Sequence, residues 1–349
     1  MLRSVSILLA AAYLLVAAVW ILSSGVVRRS SGTELINVAC DPTRELWDDL
    51  NPKFCARYEA RTGTPVAIRN SHGGSASQAW QVKNGFEADV VTLAMWPDTD
   101  AIRKAGLMDT GWETKLDGGS LPYISTIVFV VRTGSEKTRE LRDWADLIAR
   151  NDVRIIVPNP KTSGNGKWAF LAAWGSVKRR NGSDAEAEEF VKRLFQRTNG
   201  LDPSARAATE NFAKNGQGDV HLTWENEAHL EVNQSGGKLR LINPPASVRA
   251  EPHVAVVDSV VRKKGTEAAA KAYLEYLHTE EAQRVIAKHY YRPTHPQVAR
   301  ESAEQFDRAG KIELFPVVPT IGASWDGIDT RFFVKDGIFD RIYDGGKSR

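Results

Sequence analysis

A chain of 349 residues, 42% hydrophobic and 26% charged, has enough apolar material for one large or two medium folded domains and lies far from the composition of disordered segments. Its formal charge of +3 resides in the first 33 residues, where Arg3, Arg28 and Arg29 stand without an acid; the rest carries 43 basic against 43 acidic residues. A near-neutral body excludes a nucleic-acid surface, which needs a basic excess.

Residues 1–33 begin with Arg3, run apolar from Ile7 to Leu22 and then turn small at Ser23, Ser24 and Gly25. This is the layout of a secretory signal peptide; an uncleaved membrane anchor is the alternative if Val26 and Val27 lengthen the apolar run. Either way the bulk of the protein is exported. The two cysteines, Cys40 before a helix and Cys55 within it, lie roughly 20 Å apart on that placement, beyond disulfide reach, and read as free thiols.

After the leader, short apolar runs alternate with turns and amphipathic stretches. "LINVAC" (35–40) leads through Asp41 and Pro42 into a helix over 43–63, with Asp41 placed to cap it and Pro42 in its first turn. "PVAIRNS" (65–71) leads through "HGGS" into a helix over 76–85, and "ADVVTLA" (88–94) reads as a strand. Further on, "RIIVPNP" (154–160) leads through "KTSGNG" into a helix over 167–180, a helix-like "ATENFAKNG" (208–216) follows, and then the strand "GDVHLTWE" (218–225). Strand-turn-helix units of this kind predict an α/β fold with mainly parallel sheets, whose binding ends are the strand C-termini. Two β-branched runs, "YISTIVFVVR" (123–132) and "HVAVVDSVV" (253–261), read as crossover strands between two lobes. The expected division is lobe 1 over 34–123 plus 253–300, lobe 2 over 124–252, and a C-terminal segment, 301–349, packing across them. A cleft between lobes is a favoured ligand site.

Two of the strand-turn-helix junctions carry anion-binding chemistry. In "SHGGSAS", Gly73 and Gly74 permit positive φ and close backbone approach, and Ser75 offers a hydroxyl and an N–H at a helix start. "PKTSGNGKW" places Ser163, Gly164 and Asn165 in the same roles. Neither junction has a P-loop lysine. Helix-start N–H groups carry partial positive charge, so several converging on one anion replace its hydration shell without a cation. A donor-only site prefers an oxyanion with no proton, because hydrogen phosphate brings a donor that must be met at a cost of about 1–3 kcal/mol if it is not. Sulfate satisfies that condition at neutral pH.

The ordered motifs "CDPTREL", "SHGGS", "EADVVTLA", "STIVFVVR", "PNPKTSG", "LAAWG", "TWENEA", "AVVD" and "YYRP" make the chain similar to the periplasmic sulfate- and thiosulfate-binding proteins of ABC importers, over essentially everything after residue 34. The resemblance implies a two-lobed type II binding-protein fold, each lobe a mainly parallel sheet flanked by helices, joined by two crossover strands. It implies a monomer in the periplasm that binds sulfate, hands it to the permease subunits of an inner-membrane ABC transporter and uses no cofactor. It places Ser75 as a donor from lobe 1, with Asp41 organising that wall. From lobe 2 it places Ser163, Gly164 and Asn165, Ala205 by its N–H and Trp224 by its indole N–H, with Arg206 bracing the loop beside Ala205. An indole is donor-only, which suits an unprotonated anion. The chain departs from the family at Asn165, where a second glycine is usual, at "PSARA" (203–207) in place of "SGARG", at Cys40 in place of an aromatic, and at "SHGGSASQ" in place of "SHGGSGKQ".

Other readings fit less well. A serine hydrolase built on Ser75 with His72, or on Ser163, lacks a G-x-S-x-G turn and a triad signature. His221, His229, His253, His278, His289 and His295 show no metal-ligand spacing. Among oxyanions, thiosulfate stands second; molybdate needs a larger cavity, and phosphate needs an acceptor, for which Asp41 is the candidate. Trp80, Trp96, Trp168, Trp174 and Trp325 are expected in the core or between packed elements.

Overall fold

Strand β1 (Thr33–Cys40) runs into a single 3-10 turn, Asp41–Thr43, and then helix α1 (Arg44–Thr62), which stops at Gly63 in the left-handed conformation. The computed structural model describes residues 32–198 and 200–343; the signal peptide or anchor expected over 1–33 falls almost wholly outside the described residues. Among the described residues no helix is long and apolar enough to cross a membrane.

Strand β2 (Val66–Gly73) enters helix α2 (Ser75–Lys83), and strand β3 (Val90–Thr92) is followed by helix α3 (Trp96–Lys104). Strands β1, β2 and β3 are parallel, with Cys40 opposite Gly73 and Ala39 opposite Thr92, so their C-terminal ends form one rim. Val38, Ala39, Val90 and Val91 are buried, as expected of parallel strands covered on both faces.

The chain then crosses over. Strand β4 (Tyr123–Ile124) leads through Ser125, which bridges Ala250, into strand β5 (Ile127–Arg132). A second sheet follows, built with strand β6 (Ile155–Ile156), helices α4 (Gly164–Lys178), α5 (Asp184–Phe195) and α6 (Ala205–Thr209), strand β7 (Val220–Trp224), helix α7 (Glu225–Gln234) and strand β8 (Leu239–Ile242). Its order is β6-β7-β5-β8; β5 runs against its neighbours, and the other three strands share one direction. Helix α4 is buried from Gly164 through Ser176, because the sheet covers one side and the C-terminal aromatic residues the other.

Strand β9 (Ala246–Val248) carries the chain back to strand β10 (Val254–Val256), which pairs antiparallel with β3. Here the structure corrects the sequence reading: "HVAVVDSVV" is not one strand, since helix α8 (Asp258–Lys264) begins at Asp258 and ends at left-handed Gly265. The buried Asp258 carboxylate accepts the Asp109 N–H at 2.8 Å and pairs with Lys115, which ties the helix start in place of a longer strand. Helices α9 (Glu267–Tyr276) and α10 (Glu280–Lys288) return to the first sheet, and strand β11 (Arg292–Pro293) pairs with β4.

The C-terminal segment divides its contacts. Helix α11 (Pro296–Asp307) packs on α10, while strand β12 (Glu313–Phe315) pairs with β9. After the short helix α12 (Val317–Thr320), helices α13 (Trp325–Phe332) and α14 (Ile338–Ile342) bring Phe332, Phe333 and Phe339 against Phe170, Trp174 and Phe195. Lys104 of α3 meets Asp326 of α13 at 2.5 Å.

Of the tryptophans expected inside, Trp168 and Trp174 are fully buried and Trp96 and Trp325 half-buried, but Trp80 is 64% exposed. Helix α2 turns Ser75, Gln78, Ala79 and Val82 inward, the spacing of one helix face, and Trp80 lies off that face. Cys40 and Cys55 are free. Burial, with the Asp41 charge beside it, pushes the Cys40 thiol up to about 12, so it is inert.

Candidate functional site

The C-terminal rim of the first sheet presents the Asp41 turn and the start of α2. Asp41 does not cap α1 as expected: no side-chain bond caps that helix, and the Asp41 carboxylate instead accepts from Arg44 at 2.7 Å. Pro42 in the turn has no N–H, so one of the donors that a cap acceptor would meet is absent. Ser75 is buried, and its Oγ accepts the Ala94 N–H at 3.1 Å, which locks the start of α2 to the end of β3. His72 lies on β2 rather than on a loop, and the contact of Ser75 Oγ is with the Ala94 N–H rather than with a histidine. Neither Gly73 nor Gly74 uses positive φ; Gly74 sits at φ −63. Its value is the missing side chain, since a Cβ there would overlap the Thr162 carbonyl of the opposite rim.

That opposite rim holds Ser163, Gly164 and Asn165 at the start of α4, Ala205 at the start of α6 and Trp224 at the end of β7, all buried. A Cβ on Gly164 would overlap that of Ala94 and come within 3.2 Å of Ser75 Cβ. The structure therefore brings Gly74 and Ser75 of one rim against Thr162, Gly164 and Pro203 of the other. Helix starts leave their first N–H groups without intrahelical acceptors, so the α2, α4 and α6 starts all offer donors here.

Several buried polar atoms in this region have no hydrogen-bond partner, among them Trp224 Nε1, Asn165 Oδ1, Arg206 Nε, His72 Nδ1 and Gln78 Oε1. The Asn165 amide nitrogen donates to Leu222 O at 3.2 Å, which orients its oxygen. An indole N–H buried to 1% exposure without an acceptor is costly unless a ligand supplies one. The basic side chains around the rims are meanwhile occupied: Arg44 by Asp41, Lys161 by Asp340, Lys167 by Asp98 and Arg206 by Glu45 and Glu227. The arrangement can bind an anion by neutral donors. Among the described residues no cluster of histidine, cysteine and acidic groups is fit to hold a metal ion.

The sequence reading missed the ties that join the rims. Arg206 forks onto Glu45 of α1, both contacts at 2.9 Å; Lys167 reaches Asp98 at 2.8 Å and Asp329 at 3.5 Å; Trp168 Nε1 donates to Ala94 O at 2.8 Å. Pro42 O accepts from Asn226 Nδ2 at 3.0 Å and from the Tyr291 hydroxyl at 2.6 Å, and Arg292 forks onto Glu225 at 2.8 Å. Burial alone favours neutral Lys167, but Asp98 and Asp329 outweigh it and hold the ammonium charged. Burial raises Glu45 and Arg206 more than reverses it, leaving that carboxyl below its usual range. A lysine inside the otherwise apolar "KWAFLAAW" was the one visible signal of a buried ion pair.

Residues 38–292 match the family described as bacterial extracellular solute-binding protein. The chain is 46% identical over 311 residues to the sulfate-binding protein of Escherichia coli (strain K12), covering 88% of this chain and 92% of that one. It is 42% identical over 311 residues to the thiosulfate-binding protein of Pseudomonas aeruginosa, again covering 88% and 92%. Among solved structures, the sulfate-binding protein SubI from Mycobacterium tuberculosis H37Rv superposes with a TM-score of 0.75 at 30% identity, over 86% of this chain and 100% of that one.

Proposed function

From the premise that the chain belongs to the bacterial extracellular solute-binding protein family, we propose that it captures sulfate between its two lobes and delivers it to the permease of an ABC importer. It is a binding protein, as its relatives are, and not an enzyme. The observation that carries the sulfate reading is the buried, unpartnered Trp224 Nε1 at the end of β7, which packs against α4 and α6, with the surrounding cations already paired.

In this proposal lobe 1 comprises 34–123 and 253–300, lobe 2 comprises 124–252, and 301–349 packs across both. Ser75, Ser163, Gly164, Asn165 by its backbone N–H, Ala205 and Trp224 donate to the anion, Asp41 orders the lobe 1 wall through Arg44, and Gly73 and Gly74 let the rims meet. The protein works as a monomer in the periplasm. Thiosulfate, named for the 42% identical relative, is the second reading, since it too is a dianion without a proton.

Calorimetric titration with sulfate, thiosulfate, phosphate and molybdate tests this. Sulfate should bind, and phosphate should not compete with it. Heat from phosphate with none from sulfate or thiosulfate would overturn the donor-only argument.

A further inference from the structure

Five Asn-Gly pairs stand in the chain, at Asn84, Asn165, Asn181, Asn199 and Asn215. Such a pair carries its own chemistry, because glycine leaves its backbone nitrogen unshielded beside the asparagine carboxamide. Attack requires that nitrogen to shed its proton and swing onto the side-chain carbonyl, so an N–H already donating to an acceptor is held back. Asn199 lies outside the described residues, and the fold treats the other four differently.

Asn165 is buried in the first turn of α4, where its amide donates to Leu222 O at 3.2 Å. Asn181 is exposed beyond the end of α4, but the Gly182 N–H donates to Val177 O at 3.1 Å. Asn84 and Asn215 form a matched pair. Both follow a lysine, are exposed and cap a helical segment, Asn84 on α2 and Asn215 on the π-helical turn Glu210–Lys214. Their backbones nearly coincide, with φ −98 and ψ 21 at Asn84 against φ −85 and ψ −3 at Asn215, and each is followed by a glycine at positive φ in open space. Each side-chain amide is tethered, Asn84 to Trp80 O at 2.7 Å and Asn215 to Asn211 Oδ1 at 2.9 Å. They differ at the glycine nitrogen. The Gly85 N–H donates to Val82 O at 3.1 Å, whereas among the described residues nothing accepts the Gly216 N–H. The turn is closed around it instead, by the Gln217 N–H on Asn211 O at 3.0 Å and by Arg132, which donates to Phe212 O, Gln217 O and Gly218 O.

The structure assigns Asn215 as the site of a spontaneous modification of the folded chain. Gly216 N gives its proton to solvent base and bonds to Asn215 Cγ; the bond from Cγ to the side-chain nitrogen breaks, and that nitrogen takes a proton from water and leaves as ammonia. A water molecule then opens the succinimide ring, giving aspartate by attack at one carbonyl and isoaspartate by attack at the other. Water enters, ammonia leaves, and nothing is oxidised or reduced. The product places a carboxylate at the carbonyl end of a helical segment, where the backbone dipole disfavours it, on the loop that leads into β7.

The test is slow incubation of the whole protein at mildly alkaline pH, followed by peptide mapping with a mass-spectrometric method that separates aspartate from isoaspartate. A bonded N–H must first be released, so Asn215 should convert at least roughly threefold faster than Asn84 and Asn181, and faster still than Asn165. The same incubation in guanidinium chloride supplies the control. Lys83-Asn84-Gly85 and Lys214-Asn215-Gly216 are the same tripeptide, so their rates should converge once the fold is gone. Equal rates in the folded protein, or an Asn215 that stays intact there while the unfolded chain converts, overturn the assignment. A lead for Asn215 that survives unfolding overturns it too, since the cause would then be the neighbouring sequence and not the fold.

Discussion

Trp224 shows how much one side chain decides. Its ring packs edge-on to Trp168 at 6.5 Å, while its Nε1 is buried without a partner. Trp224→Phe keeps most of the packing and removes the donor. A hydrogen bond to a charged group is worth about 1.5–3 kcal/mol, so sulfate affinity should fall roughly tenfold to a hundredfold while the melting temperature of the free protein holds. Unchanged affinity by calorimetry would remove Trp224 from the site. The expectation of this donor came from the resemblance carried by "TWENEA", and the strand end followed by a helix start that holds it is a local feature. Arg206 was legible as a brace, but its partner Glu45 lies 161 residues away, and no spacing rule reaches that far.

At the scale of elements, the starts of α2 and α4 meet only because Gly74 and Gly164 lack side chains. Gly74 sits at φ −63, which alanine adopts freely, so Gly74→Ala should leave lobe 1 folded. The added methyl would meet the Thr162 carbonyl of the other rim, so the penalty falls on joining the rims. Sulfate affinity should drop by more than about tenfold, the loss expected for over about 1.4 kcal/mol of clash, with the unliganded melting temperature unaltered. Parent-like affinity would show that the rims need not touch. The sequence marked Gly73 and Gly74 for backbone freedom, whereas the fold uses Gly74 for clearance. That distinction depends on the opposing loop, which local sequence does not contain. The same limit explains "HVAVVDSVV": β-branched residues favour a strand, and only the Asp109 and Lys115 contacts to Asp258 end it.

For the whole molecule, the two lobes are tied along α7. Glu225 meets Arg292, Asn226 meets Pro42, and the His229 ring stacks on Tyr290 at 3.7 Å. Burial, with Arg292 and Arg308 nearby, pushes His229 down from its ordinary 6.5 to about 4. Its pKa is lowered on folding, so the neutral ring contributes stability that is whole above about 6.5 and is lost as pH falls toward about 4, where the unfolded chain binds the proton first. His229→Phe keeps a ring on Tyr290 and carries no proton. It should therefore lose less stability than the parent between those two pH values in urea unfolding; parallel losses would show that His229 does not titrate with folding.

The sequence by itself determined the α/β units and the two strand-to-helix junctions rich in glycine and serine, since apolar periodicity and turn chemistry act over a few residues; the expectation of an indole donor at Trp224 came from the family resemblance. Only the tertiary structure decided which polar groups are paired and which are left over. Lys167, Arg206 and Arg292 each find carboxylates from distant segments, and Trp224 Nε1 finds none. The physical reason is desolvation: a buried charge or N–H must be met by whatever the fold brings beside it, and that neighbour is set by sheet order and lobe contact rather than by position along the chain.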